Sequence, residues 1–374
     1  MKHLIYADNA ATTQMDVDVF EAMKPYLLHE YGNASQPYSF ARQPKKAIQE
    51  ARESIASCIG ALPEEIYFTS GGTESDNWAI KGIAFRNYDH RATITTAFEH
   101  HAVLHACEAI ERLGCPVAYM LPDKRGFVSP DSLERYITDE TFLVSVMYAN
   151  NELGSIQPIK ELCKVAHDHG ALFHTDAVQA VGHVAIDVND LGVDMLSASA
   201  HKFNGAKGVG FLYVRTGTTL LPYADGGAQE HGLRAGTENV AGIVSMAVAL
   251  KKNVNDLDKN QRHILKLEGL LLQALNESGI PYVRNGGDHT LPGVISLSFD
   301  GKDGEAILHR MDLMGVCIST GSACDSQNTE ISHVLQAIRM PESLAKGTIR
   351  ISLGKNNTAD DIDTIVTALR KILL

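Results

Sequence analysis

Features that mark secreted, metal-binding or membrane proteins are missing from this sequence. The 374 residues include six cysteines, with no C-x-x-C pair and no spacing typical of a zinc site, which favours reduced thiols over disulfides. The first residues hold only a brief apolar run, too short for a signal peptide, and the longest nearly apolar run, 240–250, is far short of a membrane span. We expect a cytoplasmic protein with no metal site and no membrane contact.

Basic residues are also scarce relative to acidic ones. The chain has 45 Asp and Glu against 33 Lys and Arg, which gives a formal net charge of -12. A negative surface repels phosphate backbones and anionic lipids, so direct binding of nucleic acid over the whole surface is not expected, although a local basic patch is compatible with this charge.

Strand and helix patterns alternate from residue 66 to residue 214. This alternation predicts an α/β unit with a mainly parallel sheet and helices on both faces. The final hundred residues predict a smaller α/β unit, and the apolar spacing over 255–278 predicts a long amphipathic helix between the two. We therefore expect a large domain over 14–255 and a small domain formed by 1–13 and 256–374.

Polar residues follow the predicted strands of the large domain at the point where each strand ends. A Gly-rich turn with Gly72 and Thr73 leads from a strand into a helix, an arrangement that suits a phosphate group but also suits an ordinary capped turn. His100, Asn151 and Asp176 follow later strands, where each could bind a ligand or simply cap or shape its turn.

Lys202 lies in a loop of Ser, His and Gly between two apolar strands. A lysine there can present its amine to a cofactor aldehyde, and a solvated loop is the alternative. Together with Thr73, His100 and Asp176, it suits pyridoxal 5′-phosphate: Thr73 and the 199–201 loop would hold the phosphate, and Asp176 would keep the pyridine nitrogen protonated.

Two residues of the C-terminal part are further candidates. Arg350 lies on a predicted strand, 348–353, opposite the face shared by Ile349 and Ile351, where its guanidinium could bind a carboxylate or face solvent. Cys324 lies in a small, polar loop at about 319–330, whereas structural cysteines are normally buried in apolar surroundings. We therefore expect a reactive thiol at Cys324.

Nine short motifs occur in an order that resembles the NifS/IscS-type cysteine desulfurases, which are fold-type I pyridoxal-phosphate enzymes of the class V aminotransferase family. They are DNAATT at 8–13, SGGTES at 70–75, EHHAV at 99–103, NNE at 150–152, HTDAVQ at 174–179, SAHK at 199–202, RAGT at 234–237, GSAC at 321–324 and IRISLG at 349–354. The resemblance covers nearly the full chain and implies a seven-stranded, mainly parallel sheet in the large domain.

The resemblance also implies a role for each candidate residue. Lys202 would be the Schiff-base lysine, Asp176 would pair with the pyridine nitrogen, Gln179 would bind the ring hydroxyl, and His100 would stack on the ring and act in catalysis. The cofactor phosphate would be bound by Gly72, Thr73, Ser199 and His201, with Thr237 from the partner subunit of a homodimer. Asn151 and Arg350 would bind the substrate carboxylate. Cys324, on a long loop as in the IscS-like subgroup, would accept the sulfur.

The implied reaction converts L-cysteine to L-alanine and leaves a persulfide on Cys324, which passes sulfur to an acceptor protein for iron–sulfur cluster assembly or nucleic-acid thiolation. Alternatives are a selenocysteine lyase or another fold-type I enzyme, and a sulfur-relay scaffold subunit. The chain departs from the family pattern at His231, Ala235 and Asp325. A carboxylate at Asp325 should disfavour the neighbouring thiolate.

Overall fold

A seven-stranded sheet and a four-stranded sheet organise the molecule. The computed structural model describes residues 4–86, 92–320 and 331–374. The strands in the described residues are β1 (Ile5–Tyr6), β2 (Ile66–Thr69), β3 (Ala92–Thr96), β4 (Val117–Met120), β5 (Thr141–Ser145), β6 (Leu172–Asp176), β7 (Met195–Ser199), β8 (Gly210–Val214), β9 (Val283–Arg284), β10 (Val294–Ser298), β11 (Val316–Cys317), β12 (Ser319–Thr320) and β13 (Thr348–Ser352).

Helices cover both sheets. The α-helices in the same residues are α1 (Val17–Leu28), α2 (Arg42–Ile59), α3 (Gly72–Ala84), α4 (His101–Glu111), α5 (Pro130–Glu134), α6 (Ile159–Asp168), α7 (Val188–Leu191), α8 (Val240–Asn255), α9 (Leu257–Ser278), α10 (Gly304–Leu313), α11 (His333–Ala337), α12 (Glu342–Ala345) and α13 (Ala359–Leu373). Short 3₁₀ turns include Ala200–Lys202, directly after β7.

The large sheet has the strand order β2-β8-β7-β6-β5-β3-β4. Its pairs from β7 to β4 are parallel, and β8 runs antiparallel to both neighbours. The predicted α/β class and mainly parallel sheet are therefore confirmed. Every residue of β5, β7 and β8 is buried, as expected for central strands covered on both faces.

Helix α3 begins four residues earlier than its apolar pattern indicates. The sequence predicts a helix from about Asp76, because the glycines before it favour a turn, but the helix begins at Gly72 with Gly71 as its N-cap. Gly71 has φ +147°, a backbone conformation that a residue with a Cβ rarely adopts. Thr73 is consequently in the first helical turn, where backbone N–H groups are free of intrahelical partners.

The small sheet has the order β12-β13-β10-β9 with antiparallel pairs, and β1 pairs in parallel with β11. The N-terminal segment therefore packs with the C-terminal part of the chain. Thr358 and Asp361 form the predicted capping box at the start of α13.

Buried apolar residues separate into clusters that follow the two sheets. One cluster combines Ile5 and Ala7 with residues of α9, α10 and α13, while two others cover the faces of the large sheet. Residues 334–345 pack in a large-sheet cluster although they lie late in the sequence. The domain boundaries at 14 and 255 stay a prediction. Among the described residues, no helix combines the length and apolar character needed to cross a membrane.

Candidate active site

A pocket of about 320 Å³ lies where several strands of the large sheet end, between that sheet and β13. Its lining includes ten of the residues predicted for the site: Gly72, Thr73, His100, Asn151, Asp176, Gln179, Ser199, His201, Lys202 and Arg350. The carboxyl ends of neighbouring strands in an open α/β sheet bring their loops to one edge, which explains why residues so far apart in sequence meet here.

Two predicted site residues are not part of this pocket wall. Thr237 is exposed and does not line the pocket within the single chain. Cys324 lies outside the described residues, as do Asp325 and most of the predicted loop at about 319–330. The individual roles of all twelve residues stay predictions.

Lys202 is held in place by the N-terminal segment. Its Nζ donates hydrogen bonds to the carbonyl oxygens of Ala10 and Ala11, at 2.7 and 2.9 Å. Gln179 donates to the same Ala10 oxygen at 3.0 Å. The chain before α1 therefore covers the lysine from the side of the small sheet, so the lysine is not part of a freely solvated loop.

Asp176 lies at the buried end of β6. Its Oδ1 accepts the N–H of Val178 at 2.9 Å, so the carboxyl does shape the following turn, one of the alternatives left open by the sequence. Burial raises its pKa to about 6, although the Val178 N–H and the positive charge of Lys202 lower it. A carboxylate at this depth favours a cationic partner in the pocket.

The start of α3 forms an open cradle next to Ser199. A Cβ on Gly72 would lie 2.5 Å from Cγ2 of Val178, and a Cβ on Gly71 would approach the Ser199 hydroxyl at 3.3 Å. Glycine thus allows Val178 and Ser199 to pack closely against the first turn, whose backbone N–H groups attract anions. His201 Nδ1 lies 3.0 Å from the Thr12 hydroxyl.

His100 combines capping with a position on the pocket wall. Its Nδ1 accepts the N–H of Ala102 at 3.1 Å as the N-cap of α4. Burial, and then the positive charges of Lys202 and neighbouring histidines, lower its pKa to about 4. His100 is therefore neutral near neutral pH, which suits stacking on the face of an aromatic ring without adding a second positive charge.

Arg350 is buried rather than solvated. Its Nη1 donates to the Asn151 carbonyl oxygen and its Nη2 to Asp8 Oδ1, both at 2.8 Å. Nε has no hydrogen-bond partner among the residues that the structure describes. A buried guanidinium with an unused donor beside a pocket suits an anionic group of a small molecule.

Four acidic residues of the site were not singled out by the sequence analysis. Asp8 pairs with Arg350, Glu152 accepts the Ser332 hydroxyl at 2.6 Å, and Asp76 and Glu99 are buried beside Asp176. Asp8 and Glu152 have partners 180 or more residues away, whereas Glu99 accepts the Thr96 hydroxyl three residues before it and the N–H of Met147. The one sequence pattern that could have identified such a residue is a charge on an otherwise apolar helix face, and Asp76 shows it.

Two of the three positions that depart from the family pattern, His231 and Ala235, lie in one loop. Glu230 forms a buried ion pair with Arg52, 2.7 Å between Oε1 and Nη2, and has φ +45°. His231 is exposed, has φ +59° and lies edge-on to Tyr67. The Ala235 methyl lies 2.7 Å from where a Cβ on Gly226 would be, so only glycine fits opposite it.

These residues suit pyridoxal 5′-phosphate. The pocket offers a primary amine at Lys202, a buried carboxyl at Asp176, a helix start at Gly72, and a neutral imidazole at His100. The buried Asp76 Oδ1 and Arg350 Nε, without hydrogen-bond partners in the described ranges, both belong to residues of the pocket wall. Polar atoms left unsatisfied around a cavity of this size favour a polar ligand.

Comparison with known proteins agrees with this geometry. The model of the family "Aminotransferase class-V" matches residues 5–365. The chain belongs to the class-V aminotransferase family. Its members use pyridoxal 5′-phosphate, and so does this protein.

Individual relatives match over almost the whole chain. "Cysteine desulfurase IscS" of Dictyoglomus turgidum is 47% identical, over all of this chain and 95% of that protein, and "Cysteine desulfurase IscS" of Methanosarcina thermophila is 46% identical, over 99% and 92%. Among solved structures, a "NIFS-LIKE PROTEIN" has a TM-score of 0.94 at 37% identity, with 99% of both chains covered. "SspA in complex with cysteine" has a TM-score of 0.85 at 38% identity, over 95% of this chain and 100% of that one.

Proposed function

We propose that this protein is a cysteine desulfurase that converts L-cysteine to L-alanine and passes the sulfur through Cys324 to an acceptor protein. One observation carries the proposal: Lys202, Asp176 and Arg350, contributed by separate parts of the chain, line a single pocket. Full-length relatives named cysteine desulfurase support the same reaction class.

The substrate carboxylate is assigned to Arg350 and Asn151. Arg350 has its Nε available while Asp8 and the Asn151 carbonyl hold the other two nitrogens in place. The guanidinium therefore needs little reorganisation to bind a carboxylate, which reduces the entropy lost on binding. The Asn151 side chain on the pocket wall adds an amide donor.

Lys202, Asp176, Gln179, His100 and the start of α3 would hold the cofactor. When bound, pyridoxal phosphate supplies an electron sink that stabilises negative charge at the substrate Cα. Lys202 takes the proton from Cα and returns a proton to the substrate, as a general base and acid. His100 stays neutral and excludes water from one face of the site.

The sulfur step belongs to Cys324. Its thiolate attacks the substrate sulfur, the bond between that sulfur and Cβ breaks, and the electron pair of that bond leaves with Cβ, which takes a proton to become the alanine methyl group. The sulfur stays on Cys324 as a persulfide. Transfer onward needs a thiol or comparable nucleophile on the acceptor.

The assembly and location are part of the proposal. Exposed Thr237 lies outside the pocket of its own chain, in agreement with a homodimer in which it reaches the partner's cofactor phosphate. We assign the protein to the cytoplasm. The acceptor is proposed to be an iron–sulfur scaffold or a thiolation enzyme.

Product analysis tests the reaction. The purified holoenzyme with L-cysteine and a thiol reductant should release alanine and sulfide in equal amounts. Lys202→Ala should lower this rate by about 10³-fold or more, because it removes the general base. A keto acid in place of alanine would indicate transamination. Alanine formation that persists in Cys324→Ala would exclude persulfide chemistry at that residue and favour a selenocysteine lyase type of reaction. If the wild-type holoenzyme shows no turnover of L-cysteine, a sulfur-relay scaffold would be favoured.

A further inference from the structure

Asp76 and Asp176 line the pocket, and a third carboxyl group, Glu99, is buried behind the pocket wall. Asp176 at the end of β6 has Asp76 of α3 and Glu99 of the β3–α4 connection as neighbours. Asp76 and Glu99 are 1% and 0% exposed. Asp76 Oδ1 and Glu99 Oε2 have no hydrogen-bond partner among the described residues. Of these three carboxyl groups, only Asp176 has a role in the proposed reaction.

A chain of polar side chains runs from the middle of the sheet to Asp76. His174 Nδ1 lies 2.8 Å from the Ser145 hydroxyl, and His174 Nε2 lies 3.0 Å from the Ser197 hydroxyl. The same Nε2 lies 3.7 Å from Asp76 Oδ1, and Ser197 is near enough to the Asp76 carboxyl to lower its pKa. Asp76, His174 and both serines are fully or almost fully buried.

The number of protons in this cluster decides its charge. Two ionised carboxylates that line one pocket, as Asp76 and Asp176 would, repel each other, and burial without a cation adds several kcal/mol to the cost of each charge, so the cluster and its neighbours bind a proton. That proton could rest on Asp76, which gives a neutral acid and a neutral imidazole, or on His174, which gives a buried ion pair.

The geometry favours the neutral pair. Both His174 nitrogens already face hydroxyl groups at hydrogen-bond distance, and its nearest Asp76 oxygen is at 3.7 Å, too far for a direct hydrogen bond. Burial lowers the pKa of His174 to about 3 and raises the pKa of Asp76 well above its usual value. The charge of Asp176 raises the pKa of Asp76 further, Ser197 lowers it, and the charge of Glu99 raises it again. Burial raises the pKa of Glu99 itself to about 8.

We propose that Asp76 is a positioning residue for the cofactor: a carboxylic acid that burial and the negative charge of Asp176 hold in its neutral form beside the Ser145–His174–Ser197 chain, which leaves Asp176 as the only anion of the cluster facing the pyridine nitrogen. A continuous order of donors exists for this state, with Asp76 donating to Ser197, Ser197 to His174 Nε2, and His174 Nδ1–H to Ser145. One pyridinium then meets one carboxylate. The inference rests on the proposed cofactor site but not on cysteine as the substrate.

Infrared spectroscopy of the holoenzyme without substrate tests the proposal apart from turnover. At neutral pH, the difference spectrum between the wild type and Asp76→Asn should show the loss of one C=O band of a protonated carboxylic acid. Asp190→Asn is the matched control, since this exposed carboxylate pairs with Lys160 and should lose only carboxylate bands. Loss of carboxylate bands in Asp76→Asn would overturn the proposal.

Cofactor affinity gives a second readout. The amide of Asp76→Asn resembles a neutral acid in charge and shape, so the cofactor dissociation constant should stay within about threefold, whereas Asp176→Asn should raise it at least about tenfold. An equally large rise in Asp76→Asn would overturn the proposal. If neither variant folds, wild-type holoenzyme labelled with ¹³C-aspartate should retain one carboxyl resonance at the protonated position at neutral pH, and the absence of that resonance would contradict the neutral acid.

Discussion

Arg350 combines burial, two fixed hydrogen bonds and one donor without a partner in the described residues. Lysine would keep the positive charge but lacks the planar fork, so it cannot hold Asp8 and the Asn151 carbonyl while binding a carboxylate. This difference separates a substrate-binding arginine from one that only stabilises the fold.

Arg350→Lys should raise KM for L-cysteine at least about tenfold, with a smaller change in kcat, because the loss falls on substrate binding. The visible absorbance band of the bound cofactor should not change. Steady-state kinetics and the absorbance spectrum measure these effects. Arg125→Lys, at an exposed arginine paired with Asp123, is the control and should leave KM unchanged. An unchanged KM in Arg350→Lys would remove the assigned role.

At the scale of single elements, the start of α3 and the segment after residue 330 contact residues at or next to the site. Gly72 leaves space that the Val178 side chain occupies. Ser332 caps α11 through the Val334 N–H and also donates to the buried carboxylate of Glu152. Each element can be altered by removing or adding a single atom.

Gly72→Ala should weaken cofactor binding about tenfold or more, because the new methyl would lie 2.5 Å from Val178 Cγ2 and displace the turn that Asp176 holds. Equilibrium titration of the apoprotein with pyridoxal phosphate measures the change. Gly269→Ala is a matched control in α9, where no atom lies within 4 Å of the new methyl. The control should leave cofactor affinity unchanged. Equal affinities for both variants would exclude a tight cradle at Gly72.

Ser332→Ala should lower the free energy of unfolding by about 1–3 kcal/mol, since Glu152 loses a buried donor and α11 loses its cap. The loss should grow with pH. Burial raises the pKa of Glu152 to about 7, and Ser332 and then Arg350 lower it. A raised carboxyl pKa means that Glu152 favours the folded state when protonated and that this contribution is lost as the pH rises through about 7.

Without the Ser332 hydroxyl, ionisation of the buried Glu152 carboxyl costs more free energy. The variant should therefore lose more of its free energy of unfolding above pH 7 than below it. Urea unfolding on both sides of this pH measures the difference. Ser129→Ala, which removes an exposed N-cap from α5, should show a loss that does not depend on pH. A pH-independent loss in Ser332→Ala would show that only the helix cap matters.

At the scale of the whole molecule, the site exists because distant segments meet. Asp8 and Arg350 are 342 residues apart, and Asp16 near the start of α1 forms ion pairs with Lys252 and Lys355. The N-terminal segment thus connects the small sheet to the loop that carries Lys202. A change in the relative position of these parts would alter the lysine and the arginine together.

Some of this arrangement could be predicted from the sequence and some could not. Strand ends carry Thr73, Asp176 and Lys202 in a recognisable order, because the αβ alternation fixes which loops share an edge of the sheet. Contacts made only after folding, such as that between Asp76 and His174, leave no local pattern. The early start of α3 at Gly72 was missed because glycine favours turns unless tertiary packing holds it in a helix.

The proposed reaction in this pocket removes sulfur from L-cysteine and places it on Cys324. The most direct test incubates the purified holoenzyme with L-cysteine without reductant, then measures the mass of the intact chain and of the peptide that contains Cys324. We expect the addition of one sulfur atom on that peptide and an equal amount of alanine. Bound cofactor without added sulfur on Cys324 would contradict it.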